Sequence, residues 1–413
     1  MLPFTLALAG YGLVLWSASS SLTADKLPPK VPQREHFAFC NFFEYLDGPK
    51  LEALSGRSPN LAWDEKGNMY FFATFWYGAI RCIRTDGRVV TITGNDYWTP
   101  DLNLSEGPAS AFPSPTGGWG NNYSYPMGGI AVQGVPDEGE DKGCIYVASH
   151  HGGIYRVFRN KSKNNRWWFA QAIGFGKDAV PRKRGESAEA KSVNLSYVSN
   201  LQIGLNGRLQ LFTKGSFLEF HDGKLMCLLG PDDYVGKADN GGPRQSCSEG
   251  YLAGDGSFYL GTYYDGEGYG SRGVAIYRAK LANGVVKVEP VAKAQSGQPR
   301  DGNALTEAGW FCGPHFAFGR NEARYQPPNV VFTSSHDEAT LRRILDGRSA
   351  TLCSDGEWRE VLRSNPKETP WWFHFWRIGP GGASYQVYRG GDWGSDQRMY
   401  RITGIDYTRP TAK

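Results

Sequence analysis

Short apolar runs of four to six residues, each closed by a cluster of Gly, Asn, Asp or Pro, alternate along most of the chain and predict strands, not helices. No long stretch carries an apolar residue every three or four positions, so helix is expected to be minor. The runs share one grammar in six segments: an apolar strand, a turn, a second strand, a loop, a third strand bearing arginine or a similar residue, then a turn and a fourth strand. First strands are expected from Pro59, Gly128, Ser199, Ser248, Pro314 and Phe373. Second strands are expected at Met69 to Ala73, Ile145 to Ala148, Leu209 to Thr213, Phe258 to Gly261, Val330 to Thr333 and Tyr385 to Tyr388. Third strands recur at Ile80 to Arg84, Ile154 to Val157, Ile276 to Arg278, Leu341 to Ile344 and Met399 to Ile402. Asp86-Gly87, Asp222-Gly223 and Asp355-Gly356 mark hairpins into fourth strands, because Asp-Gly suits the positive φ of tight turns.

A repeat of about 50 to 70 residues built from four strands predicts an all-β, six-bladed β-propeller of four-stranded antiparallel blades. The last segment runs out after its third strand near Tyr407, and a fourth strand is expected from the other end, at Asp47 to Leu54. An N-terminal strand completing the last blade would close the ring and remove its open edges. Phe39 to Tyr45 is left over, which keeps a partial seventh blade in view, and an open pair of β-sandwich sheets is the rival architecture. The expected divisions are a signal peptide over 1–24, an N-terminal segment with the closing strand over 25–57, the propeller over 58–407 and a tail over 408–413.

Composition agrees with many short strands: 53 glycines among 413 residues, 14% aromatic and 21% charged. The net charge is only +4 and Arg182-Lys183-Arg184 reads as a solvated loop, so no nucleic-acid partner is expected. Phe4 to Trp16 is apolar and small residues follow to Ala24, which reads as an export signal although no Lys or Arg stands near Met1. The run is too short for the roughly 20 residues of a membrane span, and no other segment qualifies. The expectation is a secreted or periplasmic protein with no membrane span after cleavage. Seven cysteines include no Cys-x-x-Cys pair, and Cys247 with Cys312, just ahead of adjacent strand starts, form a candidate disulfide.

Propeller geometry brings the starts of the innermost strands to one mouth of the channel. Those positions are Asn60, Gly129, Asn200, Glu249, His315 and His374. A buried ring of polar groups needs water, a cation or a ligand. Two imidazoles, a carboxylate and amide oxygens suit a divalent ion, Zn²⁺ or Mn²⁺ before Ca²⁺. The competing reading is that these side chains bond one another around the channel. Loops between second and third strands supply a rim of Trp76, Tyr77, His150, His151, Lys214, Tyr263, Tyr264, Asp265, His336, Asp337, Asp392 and Trp393. Aromatic faces beside polar donors suit a small-molecule or polysaccharide ligand. Two reactions fit: hydrolysis of a lactone or ester at a metal held by Glu249, His315 and His374, with His150 or His336 moving protons, or a lyase reaction on a uronic-acid sugar using His151, Tyr264 and Arg278. A non-catalytic carbohydrate- or protein-binding propeller is the third reading. No Gly-x-Ser-x-Gly elbow is present.

The run Asn60 to Tyr70, with its Asn-Leu-Ala start and Gly67-Asn68 turn, resembles NHL-repeat propellers and, more loosely, the gluconolactonase and senescence-marker-protein family, over about residues 58 to 407. That family draws metal-binding Glu, Asn and Asp residues from strand starts, and Glu249, Asn60 and Asn200 are similar in type. His315 and His374 depart from its pattern and resemble the zinc-binding amidating lyases.

Overall fold

The computed structural model describes residues 33–39, 45–55, 61–73, 79–94, 104–112, 129–148, 153–195, 198, 200–234, 249–252, 256–264, 273–293, 317–318, 331–335, 340–345, 348–353, 372–390 and 396–404. They form six antiparallel sheets of four or five strands and one two-strand ladder. Sheet one holds Leu61–Trp63, Met69–Ala73, Ala79–Ile83 and Arg88–Thr91, and sheet two Ile130–Gly134, Gly143–Ala148, Ile154–Asn160 and Arg166–Ile173. Sheet three holds Asn200–Ile203, Leu209–Thr213, Ser216–His221 and Lys224–Leu229, and sheet four Glu249–Leu252, Phe258–Tyr264, Gly273–Ala282 and Val285–Lys293. Sheet five holds Ala317–Phe318, Val331–Ser335, Thr340–Leu345 and Arg348–Cys353, and sheet six Trp372–Ile378, Ser384–Gly390, Asp396–Thr403 and Gln33–Ala38. Short extra strands, Gly48–Pro49, Glu106–Pro108 and Ser187–Glu189, cover the outer edges of sheets one, two and three and so hide backbone groups that would template aggregation.

Each hydrophobic cluster bridges neighbouring sheets. Ile80, Tyr70 and Cys82 of sheet one pack with Val132, Val147 and Phe169 of sheet two, and Tyr146 and Ile154 of sheet two with Leu201 and Leu218 of sheet three. Phe212 and Leu229 of sheet three meet Phe258 and Leu260 of sheet four. The innermost strands of sheets four and five are in contact. Tyr385 and Met399 of sheet six pack with Leu61 and Trp63 of sheet one, the Trp63 and Tyr385 ring centres lying 5.1 Å apart. Sheets one to five thus stack in chain order, and sheet six packs on sheet one.

Two sequence expectations are corrected. The strand completing sheet six is Gln33–Ala38, paired along Asp396–Thr403 from Gln33↔Thr403 to Ala38↔Met399. Residues 47–54 do not pair there: Gly48 and Pro49 pair with Val89 and Arg88 of sheet one, and Leu54–Ser55 pairs with Tyr45–Leu46. The physical reason is Arg81, fully buried in sheet one, whose guanidinium binds Leu46 O at 2.8 Å and Asp47 Oδ1 at 2.9 Å. A buried guanidinium demands a carboxylate, and Asp47 stays with it. The second correction concerns Asp355-Gly356. Sheet five turns into its fourth strand earlier, with Leu345 paired to Arg348, while Asp355 and Gly356 lie outside the described residues. The other two hairpins are as expected, with Gly87 at φ 84°, and Asp222 and Gly223 at 49° and 78°.

Arg182-Lys183-Arg184 forms an exposed loop held by Glu186, Asp233 and the Gly284 carbonyl. Among the described residues no helix is long and apolar enough to cross a membrane. The signal-peptide segment, Cys247 and Cys312 lie outside the described residues. Cys82, Cys144 and Cys227 are unpaired and buried. Burial pushes the Cys144 thiol up to about 11 and Cys227 up to about 12, and raises Cys82 as well. Iodoacetamide at pH 8 is therefore expected to leave these three unmodified in the folded protein, since the thiolate is the nucleophile. Rapid labelling of any of them, read by peptide mass spectrometry, contradicts the packing.

Candidate functional site

A four-stranded meander has two ends. The start of its first strand and the loop from second to third strand lie at one end, called here the mouth. The turns from first to second and from third to fourth strand lie at the other.

At the mouth, Asn200 begins sheet three and is 7% exposed. Its Nδ2 donates to Gly250 O of sheet four at 3.1 Å and approaches Gln202 Oε1 at 3.5 Å. Gly250 follows Glu249, the first residue of sheet four's innermost strand. The starts of two adjacent sheets, 50 residues apart in sequence, are thus tied by one amide. Spending the nitrogen of Asn200 on Gly250 leaves Oδ1, on the other branch of the amide, as the acceptor this side chain offers. Gln202 repeats the stitch, its Nε2 donating to Leu252 O at 3.1 Å and to Gln210 Oε1 at 3.1 Å. The ladder ends on Glu219, 4% exposed, which accepts from Arg208 at 2.9 Å, Asn206 at 2.8 Å and Gln210 at 3.2 Å. Burial alone would raise the Glu219 carboxyl, but these three donors outweigh it and hold it below its ordinary value.

Gly250 permits the close approach. A Cβ added there would meet the Phe212 ring at 2.4 Å. Gly250→Ala is expected to push sheets three and four apart and cost about 1–3 kcal/mol, the usual penalty of overpacking. An unchanged unfolding midpoint contradicts that contact.

The other mouth positions are defined by backbone. Glu249 pairs with Gly261, and Tyr263 and Tyr264 lie at the same end of the next strand, paired with Val274 and Gly273. His374 sits at a β-bulge: Phe373 pairs with Tyr388 and Phe375 with Val387, so His374 is the extra residue between them. Bulges of this kind re-aim a side chain and concentrate near functional sites. Lys214 occupies a two-residue turn, Lys214 at φ 47° and Gly215 at 82°, and is exposed at its tip. Asn60, Trp76, Tyr77, His150, His151, Asp265, His315, His336, Asp337, Asp392 and Trp393 lie outside the described residues. Among the described residues no three His, Cys, Asp or Glu side chains form a metal-binding group.

Arg278 belongs to a different, repeated device. One cross-strand position joins the second and third strands of successive sheets: Tyr70↔Cys82, Tyr146↔Arg156, Gln210↔Glu219, Tyr259↔Arg278, Phe332↔Arg343 and Tyr385↔Arg401. Arg278 Nε donates to Glu289 of the fourth strand at 2.5 Å and the residue is hydrogen-bonded to Tyr259. In sheet six Arg401 Nε lies 2.6 Å from Glu35 of the N-terminal strand and bonds Tyr385. Glu35 is thus the ion-pair partner in sheet six that Glu289 is in sheet four. In sheets four and six this arginine ties the third strand to a carboxylate on the adjacent strand, and its positive charge in sheet four is already matched. Sequence reasoning had missed the Asn200–Glu219 ladder, whose only signal was polar residues inside strands where apolar ones were expected.

No family model matches the chain, and no curated protein matches it. Among solved structures it is similar to a protein of unknown function from Bacteroides thetaiotaomicron, at 12% identity and TM-score 0.47, over 90% of this chain and 76% of that one. It is also similar to a gluconolactonase from Xanthomonas campestris (14% identity, TM-score 0.40, 84% and 86% covered) and to the soluble aldose sugar dehydrogenase of Escherichia coli (11%, 0.39, 90% and 99%). These likenesses are loose, and assignment of a function rests on the chain's own residues.

Proposed function

We propose that the six sheets close into a six-bladed propeller exported from the cell, and that its mouth holds a metal-dependent hydrolase site for a carbohydrate-derived lactone or ester. The observation that carries this reading is the Asn200–Gly250 hydrogen bond, which sets an Asn side chain against the strand that begins with Glu249. Return of sheet six onto sheet one supports the ring, and the bulge at His374 supports a special role for that position. Glu249, His315 and His374, with the amide oxygens of Asn200 and Asn60, would hold the ion, a donor set suited to Zn²⁺ or Mn²⁺. A metal there supplies polarisation of the substrate carbonyl. His150 or His336 on the rim moves the proton between water and the leaving oxygen, and Trp76, Tyr77, Tyr263 and Trp393 offer faces for the apolar side of a sugar ring, with Lys214, Asp265, Asp337 and Asp392 bonding its hydroxyls. The lyase reading through His151, Tyr264 and Arg278 is weakened, because the Arg278 charge is taken by Glu289.

The test is a screen of sugar lactones, sugar esters and acidic polysaccharides with Zn²⁺- and Mn²⁺-loaded protein, reading acid release and unsaturated-sugar absorbance together. Acid release that falls by about 100-fold or more in Glu249→Ala and His374→Ala is expected, the scale seen when a principal transition-state stabiliser is removed. Unsaturated product with no acid release would replace hydrolysis with elimination. Neither signal, with intact folding, leaves a binding propeller and overturns the enzyme.

A further inference from the structure

Opposite the mouth, at the turn end, a cleft of about 150 Å³ opens between sheets one and two. Its floor is Tyr70, Cys82, Val90 and Ile92, one wall is Trp167, and its rim carries Arg84 and Asp137. At the floor of the cleft, sheet one departs from the common cross-strand pairing. Where four other sheets place an arginine across from the second strand, sheet one has Cys82, several heavy atoms shorter. No guanidinium fills the groove.

The chemistry of the walls selects the occupant. Arg84 donates to Asp137 Oδ2 at 3.0 Å, and Arg159 donates to Asp137 Oδ1 at 2.6 Å while lying 4.4 Å over the Trp167 ring. Lys66 is paired with Glu138, the residue that follows Asp137. Arg84 and Arg159 share the Asp137 carboxylate, and the Asp86 carboxylate also lines the cleft, so each guanidinium already has an anionic partner and the site does not favour an anionic ligand. Burial raises both the Tyr70 phenol and the Cys82 thiol, so the floor is uncharged at neutral pH. The volume equals that of a cavity of about 150 Å³ that accepts one benzene-sized ring. An apolar floor and aromatic wall under a rim of charged donors and acceptors matches a ring that is apolar on its face and hydroxylated at its edge.

We propose that this cleft is a second binding site, distinct from the mouth, for one uncharged pyranose ring, as a free monosaccharide or a glycan terminus. The inference does not rest on hydrolysis at the mouth.

Saturation-transfer NMR with D-glucose, D-galactose and D-mannose tests it, with D-glucuronate and phenol as separate arms. Saturable signal from at least one neutral hexose is expected, weakened at least tenfold in Trp167→Ala and in Val90→Phe, which fills the floor, and kept in Glu249→Ala. Arg84→Ala, a half-exposed rim change with little consequence for folding, is expected to weaken the signal and keeps the test decisive if the other two variants misfold. Absence of any hexose signal overturns the site. So does a signal that disappears in Glu249→Ala and ignores the cleft variants, which would place the sugar at the mouth. Binding of glucuronate or phenol in preference to the hexoses overturns the ligand class.

Discussion

Deleting residues 1–39 is expected to abolish soluble folded protein, whereas deleting only 1–24 leaves it intact. The difference is the strand Gln33–Ala38. It pairs with five residues of Asp396–Thr403, the last strand of sheet six. Without it, that strand presents bare N–H and C=O groups, a template for pairing with another chain. Ala38 and Phe39, both buried, leave the cluster shared by sheets six and one. Arg401 loses Glu35 and keeps a half-buried charge without a carboxylate. Phe39 alone carries much of this. It is 1% exposed, stacks edge-on against Phe71 at 5.3 Å, and holds φ at 70°, a conformation that a bulky residue adopts only when its surroundings enforce it. Phe39→Ala should cost about 3–5 kcal/mol, the range for emptying a buried aromatic site. The measurement is soluble yield, sedimentation and thermal unfolding of the two truncations and the point variant. A monomeric, cooperatively melting 1–39 deletion would show that the strand does not close the last sheet.

Asp47→Ala is the second large effect, and it carries a pH signature. Asp47 Oδ1 accepts from Arg81 at 2.9 Å and from the Thr91 hydroxyl at 2.9 Å, and Oδ2 accepts from the Thr91 amide at 2.8 Å. Arg81 is wholly buried, so losing Asp47 removes an ion pair and a charged hydrogen bond from a guanidinium in the core. Breaking such a pair costs about 3–5 kcal/mol when both partners are buried, and the lower end is expected here because Asp47 is half exposed. Burial alone would raise the Asp47 carboxyl, but the bonds from Arg81 and Thr91 outweigh it and lower it. With the folded value below the unfolded one, the stabilisation is fully present above the ordinary carboxylate value, near pH 4, and is lost as pH falls through the lowered folded value. Denaturant midpoints of wild type and Asp47→Ala should therefore lie far apart at pH 7 and converge as pH falls through the lowered folded value. A gap that does not change with pH would mean the loss comes from the chain turn at Leu46–Gly48, not from the ion pair.

The strand pattern was legible because its cause is local. Met69–Ala73 and Leu209–Thr213 match the expected runs residue for residue, since each is an apolar run bounded by turn formers on both sides. The closing strand was not legible. Gln33–Ala38 carries Gln, Arg, Glu and His, and its place depends on Glu35 meeting Arg401 across the whole length of the chain. Asp47 to Leu54 looked the better candidate because Asp-Gly and the Leu residues mimic the other fourth strands. Only the buried Arg81 explains why it belongs elsewhere. In the same way, Asp355-Gly356 and Asp346-Gly347 offer the same turn signal, and pairing between the flanking strands decides between them. For the mouth, the sequence repeat pointed to Asn200 beside the Glu249 strand, and a hydrogen bond joins them. It did not reveal that the Asn200 nitrogen serves as a stitch, nor that Arg278 and Arg401 tie neighbouring strands, because both depend on which neighbour the side chain meets.

The proposed metal site requires distant strand starts to share one ion at the mouth. Elemental analysis of protein loaded with Zn²⁺ or Mn²⁺ and passed through a desalting column tests it most directly. One ion per chain is predicted for the wild type, with most of it lost in Glu249→Ala and in His374→Ala and none lost in Arg278→Ala. Equal metal content in the wild type and both mouth variants would contradict a shared centre at those strand starts.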